Sequence, residues 1–448
     1  MAEGAAYPPG RRGRAGRSAA VSTSIETQPT EAPHRGESRQ ARAQRISTSV
    51  LIAVVGLLLL GLAFNASGTA RFALSDAFDE VQLPEISLPG MPVVLVCALL
   101  CLIAAVLLFG GRMPVRVRRL LGAVAGIAVV LGFITWAASG RDLPFPMSNQ
   151  FNGTLNLATP LILGALAGVL CERAGVVNVA IEGQFLTAAF AAGVVGSITQ
   201  SIPAAMVGAV LAGMLMAALL AIFSIKYLVD QVVLGVVINL LAAGLTGFLF
   251  DQLVQPDSGS LNSAPIMTPI EIPGLAQIPF LGPILFRQTV LAYLAVASVI
   301  LVWFLLYRTR WGLRVRAVGE HPEAADTVGI KVRAMRYQAV IVGGIFAGLG
   351  GAFFTIGSTG SFAKDFTVGK GFIALAALIM GRWHPVWAAV MALFFGFVTQ
   401  MASQMQSLST PVPSQFLELL PYVATVIAVA GLIGRVRAPA ADGVPYDK

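Results

Sequence analysis

Residues 308–337 read RTRWGLRVRAVGEHPEAADTVGIKVRAMRY, a basic, polar island between two long apolar stretches. Seven Lys/Arg (Arg308, Arg310, Arg314, Arg316, Lys331, Arg333 and Arg336) surround the short acidic run EAAD. A segment this polar cannot lie in hydrocarbon, and a positive excess in a short loop marks the cytoplasmic side of a membrane. The apolar runs on either side, 288–307 and 338–357, then read as spanning helices. The Glu-Ala-Ala-x-x-x-Gly pattern at 323–329 suits a short helix that docks on a partner.

The whole chain has the same character. Of its 448 residues 56% are hydrophobic and 12% charged, and its mean hydropathy is +0.79. A soluble domain carries about 25% charged residues. The deficit means that most of the surface meets lipid, where a charge at the bilayer centre costs roughly 2.5–3.5 kcal/mol. The net charge of +8 does not point to nucleic acid. Its arginines sit in short loops and in the N-terminal tail, without the interleaved aromatics of a base-stacking surface. Cys97 and Cys101 share a helix face and read as packing residues, as buried thiols do. His34, His321 and His384 are scattered, so no metal site is expected.

Residues 1–45 hold eight Arg and four Glu and lack apolar periodicity, which predicts a disordered cytoplasmic tail rather than a signal peptide. A span needs about 20 apolar residues. Twelve runs qualify: 46–64, 92–109, 120–138, 153–171, 175–199, 204–223, 231–250, 288–307, 338–357, 371–383, 386–405 and 415–434. The loops alternate in charge. RMPVRVRR at 112–119, Lys226, 308–337 and RVR at 435–437 are basic; 65–90 is acidic and 251–287 is rich in Pro and Ser. The expected architecture is an all-α polytopic membrane protein of ten to twelve transmembrane helices with both termini cytoplasmic. The run 371–383 is short and reads either as a re-entrant half-helix or as a short span. The division is a tail 1–45, two additional helices in 46–119, a core 120–437 and a C-terminal tail 438–448. A similar order of polar helix, Gly-rich break and second helix in 153–199 and 338–405 hints at an internal two-fold arrangement.

Polar residues at membrane depth line bundle interiors or water-filled paths. Asn152, Asn156 and Thr159 fall at i, i+4, i+7 on one helix stripe, followed by Pro160. Asn178 and Glu182 share another face, as do Asn239 and Thr246. These seven residues are the candidates for a translocation path; cross-linking of helices is the simpler role for the same residues. Gly344 and Gly348 form a GxxxG face for close helix packing. No phosphate-binding loop, zinc-protease motif or nucleophile elbow occurs, so no catalytic residue, cofactor or ATP site is expected in this chain.

The run TPLILGALAGVLCERAGVVNVAIEGQFLTAAFAA (159–192) resembles permease subunits of ATP-binding-cassette (ABC) importers of the branched-chain amino acid/ribose type, in the nucleoside (simple-sugar-like) branch. QVVLGVVINLLAAGLTGFL (231–249), RWGLRVRAVGEHPEAADTVGIKV (310–332), GKGFIALAALIMGRWHPVWAAVMALFFGF (369–397) and FLELLPYVATVIAVAGLIG (416–434) follow in the family's order, so the likeness covers roughly 150–436. It implies a bacterial cytoplasmic membrane subunit working by alternating access, with ATP hydrolysed in a separate cytoplasmic ATPase. A second permease subunit and an extracytoplasmic solute-binding lipoprotein complete the implied assembly. By resemblance Gly319, Glu320, Glu323, Ala324, Ala325 and Gly329 form the coupling helix. The longer import consensus, continuing toward Ile-x-Leu-Pro, does not follow here. The implied solute is a nucleoside, ahead of a monosaccharide or a branched-chain amino acid. An ion-coupled secondary transporter with Glu182 as proton carrier is the alternative, and a membrane scaffold is a further class that aligned buried Asn and Glu do not suit.

Overall fold

The computed structural model describes residues 39–76, 81–111, 113–408, 410, 412–427 and 437–447. Of the expected disordered tail 1–45, residues 1–38 lie outside them and 39–45 are helical instead; Arg435 of the basic RVR run also lies outside. Helix α1 (Arg39–Ala63) starts within the arginine-rich stretch. It packs along α2 (Gly90–Gly110), which packs along α3 (Val115–Ala138). The Arg45 guanidinium donates to the carbonyls of Leu108 and Phe109 at the C-terminal end of α2, where the helix dipole favours a cation. Cys97 and Cys101 are buried free thiols in the seam of these helices, and the Cys101 thiol donates to the Ala125 carbonyl at 3.6 Å. Beyond an otherwise helical expectation, a small sheet closes the opposite end. There β1 (Thr69–Ala73) pairs antiparallel with β2 (Ile86–Pro89) and parallel with β3 (Phe145–Pro146). Phe72 and Phe145 meet edge to face and, with Trp136, share a core with Met401 and Met405.

The centre of the bundle is α4 (Met147–Glu172), a 26-residue helix about 39 Å long at 1.5 Å per residue. There follow α5 (Ile181–Thr199), α6 (Ile202–Ala221, prolonged to Lys226) and α7 (Gln231–Leu249, prolonged to Val254). The polar connection after α7 holds α8 (Ser258–Leu261), β4 (Ile270–Glu271), α9 (Leu281–Leu285) and β5 (Arg287–Gln288), with β4 and β5 antiparallel. Then come α10 (Val290–Arg308), α11 (Arg310–Glu320), α12 (Pro322–Thr327) and α13 (Val332–Phe354). The chain ends in α14 (Lys370–Met380), α15 (Pro385–Ser407), α16 (Ser414–Glu418) and α17 (Leu420–Ile427). Helices α13, α14, α15 and α10 surround α4.

Among the described residues ten helices are long and apolar enough to cross a bilayer. The chain is thus a mostly helical, multi-pass membrane protein. Of the two other apolar runs, 371–383 becomes the 11-residue α14, about 16 Å long against a hydrocarbon core of about 30 Å. The run 415–434 opens as the short α16 and α17, and 428–436 lies outside the described residues. Large apolar side chains such as Leu58, Val106, Ile127, Leu211, Leu240 and Ile300 point outward. On a soluble protein this much exposed apolar surface would drive aggregation; in a bilayer it is the lipid-facing surface.

The glycine face of α13 packs on α6. A Cβ at Gly213 would lie 2.6 Å from the Gly344 carbonyl oxygen and 2.7 Å from the Gly348 Cα, and one at Gly348 would lie 2.6 Å from the Ala209 carbonyl oxygen. The two backbones touch, which is how small residues gain dispersion contact in lipid, where no hydrophobic effect drives helices together. Gly348→Leu should therefore force α6 and α13 apart at a cost of about 1–3 kcal/mol or more. A lowered unfolding temperature in detergent checks this; an unchanged one would show that the crossing can relax.

Candidate functional site

The basic island folds into a hairpin of two helices, α11 and α12. Thr309 caps α11, its hydroxyl accepting from the Gly312 N–H at 3.1 Å. Pro322 opens α12, a position where its missing N–H costs nothing. Gly329 follows in the left-handed region at φ 82°, a conformation glycine adopts without steric penalty. Glu320, Glu323, Ala324 and Gly329 are exposed, and Val328 beside them is 75% exposed. Ala325 is buried with Val318 and Val332 and faces the protein. Gly319 is buried too, and a Cβ there would lie 2.2 Å from the Arg173 carbonyl oxygen. The six expected coupling residues thus divide into an outward face of four and two packing positions that seat the hairpin on the end of α4.

Arg173 ties that seat to the rest of the bundle. Its guanidinium donates to the Trp383 carbonyl at 2.8 Å and to the Arg382 carbonyl at 3.4 Å. Arg382 and Trp383 are consecutive non-glycine residues at φ 55° and 53°, a strained turn that the two hydrogen bonds hold. The Trp383 indole donates to Glu172. His384 stacks on Tyr307, and burial, with the nearby Arg173 charge, lowers its pKa. Arg316 lies over the other partner of that stack, 4.9 Å from the Tyr307 ring centre.

Two helix breaks meet further inside. The segment 173–180 between α4 and α5 is irregular. Irregular backbone at membrane depth survives only where protein groups satisfy it. Gln231 accepts from the Val177 N–H at 2.6 Å, and Asn239 accepts from the Gly183 N–H at 2.8 Å while donating to the Val179 carbonyl at 3.0 Å. Asn178 is fully buried and donates to Gln184 at 3.2 Å. The second break, 360–369, runs from the end of α13 along α5. Phe362 packs on Phe190, and Thr367 reaches Glu182. There the Glu182 carboxylate accepts from the Thr367 hydroxyl, the Gly369 N–H (2.8 Å) and the Gly371 N–H (2.6 Å). It sits on the open N-terminus of α14, where a negative charge is favoured and unpaired N–H groups need acceptors. Gly371 has to be glycine, since a Cβ would lie 2.4 Å from the Glu182 nitrogen.

The remaining expected path residues lie elsewhere. Asn152 donates to the Pro283 carbonyl at 2.8 Å, and Asn156 donates to Asn152 at 3.1 Å. Both line a polar cleft of about 240 Å³ at the end away from the hairpin, with Ser148, Asn149, Arg287 and Thr289. Arg287 is paired with Glu271 at 2.9 Å and borders a second cleft of about 370 Å³. Thr159 and Thr246 are buried, and their hydroxyls bond to Leu155 and Ala242 of their own helices. The structure therefore groups Asn178, Glu182 and Asn239 around the breaks and Asn152 with Asn156 at the far cleft. It does not join the two groups or place Thr159 and Thr246 in either. Sequence reasoning missed Gln231 as a ligand of the break, along with Arg173, Trp383, Thr367 and Asp442. Their partners lie tens to hundreds of positions away, so no spacing rule exposes them.

Asp442 lies within electrostatic reach of Glu172 at the end of α4. Burial pushes its pKa up to about 7, against the pull of Arg336. Replacing Glu182 by Ala should strand three donors at about 1–3 kcal/mol for each buried group left unpaired, seen as a large fall in thermal stability; Glu182→Gln, which keeps an acceptor, should lose less. Equal, small effects would remove the capping role. The sign for Asp442 is opposite to that of a salt-bridged carboxylate. The docked segment binds the proton more tightly, so docking is strongest below the ordinary value of 3.8 and weakens as pH rises toward about 7. Proteolysis within 437–447 should therefore be faster at about pH 8 than at about pH 5.5. Asp442→Asn should flatten that dependence; an unaltered slope would assign the titration to another group.

Comparison with known proteins adds an independent line. The family model described as branched-chain amino acid transport system / permease component matches residues 150–432, from the start of α4 onward. The guanosine ABC transporter permease protein NupQ of Bacillus subtilis is 41% identical over 66% of this chain and 95% of its own length. The nucleoside ABC transporter permease protein NupC of Lactococcus lactis is 40% identical over 65% of this chain and 94% of its own. The putative glucose ABC transporter permease protein TsgC13 of Haloferax volcanii is 39% identical over 58% of this chain and 78% of its own. No solved structure matches. With most of the chain matched by the family model, and near-complete relatives at this identity, the chain belongs to the permease component family of branched-chain amino acid transport systems.

Proposed function

We propose that this chain is the membrane-spanning permease subunit of an ABC importer that carries nucleosides across a bacterial cytoplasmic membrane. The observation that carries the reading is the hairpin of α11 and α12. It presents Glu320, Glu323, Ala324, Val328 and Gly329 outward while Gly319 is locked against Arg173. A protruding handle fixed to the central helix is what an external motor needs to move the bundle. Identity of about two in five residues with permeases named for guanosine and nucleosides favours a nucleoside. The similarly related permease named for glucose makes a monosaccharide the second reading.

The hairpin end carries Arg45, Arg116, Arg118, Arg119, Lys226 and the basic residues of 308–337, so it is the cytoplasmic end under the positive-inside rule. A cytoplasmic ATPase docks there; a solute-binding lipoprotein delivers solute at the cleft of Asn152, Asn156 and Arg287; a second permease subunit completes the path. Asn178, Glu182 and Asn239 act by holding the breaks that border that path. Coupling requires the ATPase to bind the hairpin differently in the two access states, since only differential affinity shifts an equilibrium.

The reading is tested with the complex reconstituted in vesicles. Guanosine and uridine should compete for uptake at concentrations where ribose and glucose do not; the reverse order would move the assignment to sugars. Gly329→Val adds a β-branched side chain at positive φ, a strain of about 1–3 kcal/mol. With Glu323→Arg, it should lower uptake by about tenfold, equivalent to roughly 1.4 kcal/mol, while the binding protein captures solute as before. Uptake that persists without the ATPase and ignores both substitutions would favour the ion-coupled alternative.

A further inference from the structure

Residues 437–447 form a strap across the seat of the hairpin. The Ala441 N–H donates to the Gly319 carbonyl at 2.9 Å, and the Ala440 N–H donates to the Glu320 carboxylate at 3.3 Å. The Arg336 guanidinium donates to the Val444 carbonyl at 3.0 Å, and Arg333 pairs with Asp447 at 3.3 Å. Tyr446 packs against the cluster of Val318, Ala325 and Val332, which joins α11, α12 and the start of α13. Asp442 meets Glu172 at the end of α4. A Cβ at Gly175, in the first helix break, would lie 2.9 Å from both the Ala441 carbonyl oxygen and Arg336 Nη2. One short segment therefore touches both helices of the hairpin, the end of α4, the α4–α5 break and the root of α13.

Two details set the strap apart from a tail resting on a surface. Arg336 is buried to 1% exposure, and its Nε and Nη2 have no hydrogen-bond partner among the described residues. Its Nη1 contact and its nearest opposite charge, Asp442, both come from the strap. The hairpin also has a break in its helical geometry at His321, which is extended at φ −144° and ψ 82° between α11 and α12. Without a brace, a push on α12 would bend that joint. The strap bonds α11 on one side of the joint, and its Tyr446 packs on the cluster to which α12 contributes Ala325.

We propose that the 437–447 strap is a positioning element for coupling: it braces α12 against the end of α4, so that displacement by the motor reaches the α4–α5 break instead of being absorbed at His321–Pro322. The proposal rests on the docking role given to the hairpin above. Arg336, Asp442 and Tyr446 are its positioning residues.

The test measures ATP hydrolysed per solute imported in the reconstituted complex. Ending the chain after Arg437 should raise that ratio by about fivefold or more while the amount of assembled complex stays the same. Tyr446→Ala, a milder change at a partly exposed residue, should raise it in the same direction. An unchanged ratio in Tyr446→Ala, whatever the shortened chain does to assembly, overturns the proposal. Gly329→Val is run alongside. If it raises the ratio and the strap variants do not, the strap alone is rejected; if neither changes it, the docking reading itself fails.

Discussion

A peptide group inside hydrocarbon has no water to bond to, and that constraint shapes everything around Glu182. Two stretches of this bundle, 173–180 and 360–369, leave helical geometry within the core. Each must be satisfied by protein groups, because an unpaired buried amide costs several kcal/mol in lipid. The Glu182 carboxylate joins the two: it belongs to the helix that begins after the first break and accepts from the backbone that ends the second. Gln231 and Asn239 from α7 complete the first break. Polar side chains in this membrane protein are therefore spent on irregular backbone, and irregular backbone is where a bundle can change shape.

From that centre the route to the surface is short. α14 runs from Glu182 to the strained turn at Arg382 and Trp383, and Arg173 holds that turn by its carbonyls. The carbonyl of Arg173 in turn touches Gly319 of the hairpin. The hairpin, a tethered turn and a half-helix capped by one carboxylate are thus connected in series by direct contacts. Helices α1–α3 stand outside this series. They pack through the small sheet and α15 at the far end, and they lie outside the stretch matched by the family model.

The chemistry of the far cleft differs in kind. Asn152, Asn156 and Arg287 line an open cleft, although Asn152 also bonds the Pro283 carbonyl and Arg287 pairs with Glu271. Such a surface suits a polar solute or the protein that delivers it. The polar residues of the chain thus divide by place: those near the breaks bond irregular backbone, and those near the cleft line open space.

The sequence by itself determined the membrane class, the charge alternation of the loops, the hairpin at 308–337 and the glycine face of α13. These are local or compositional properties: a run of apolar residues, a cluster of arginines or a GxxxG spacing acts through neighbours on the same helix, whatever the rest of the chain does. It also marked Asn178, Glu182 and Asn239 as polar residues out of place in lipid, without revealing what they bind. Only the tertiary structure decided that Glu182 caps a helix starting 188 positions later, that Gly319 and Ala325 face inward, and that residues 437–447 return to contact the hairpin. Those outcomes depend on which distant backbone group is left without a hydrogen bond once the helices pack, and no periodicity along the chain encodes that.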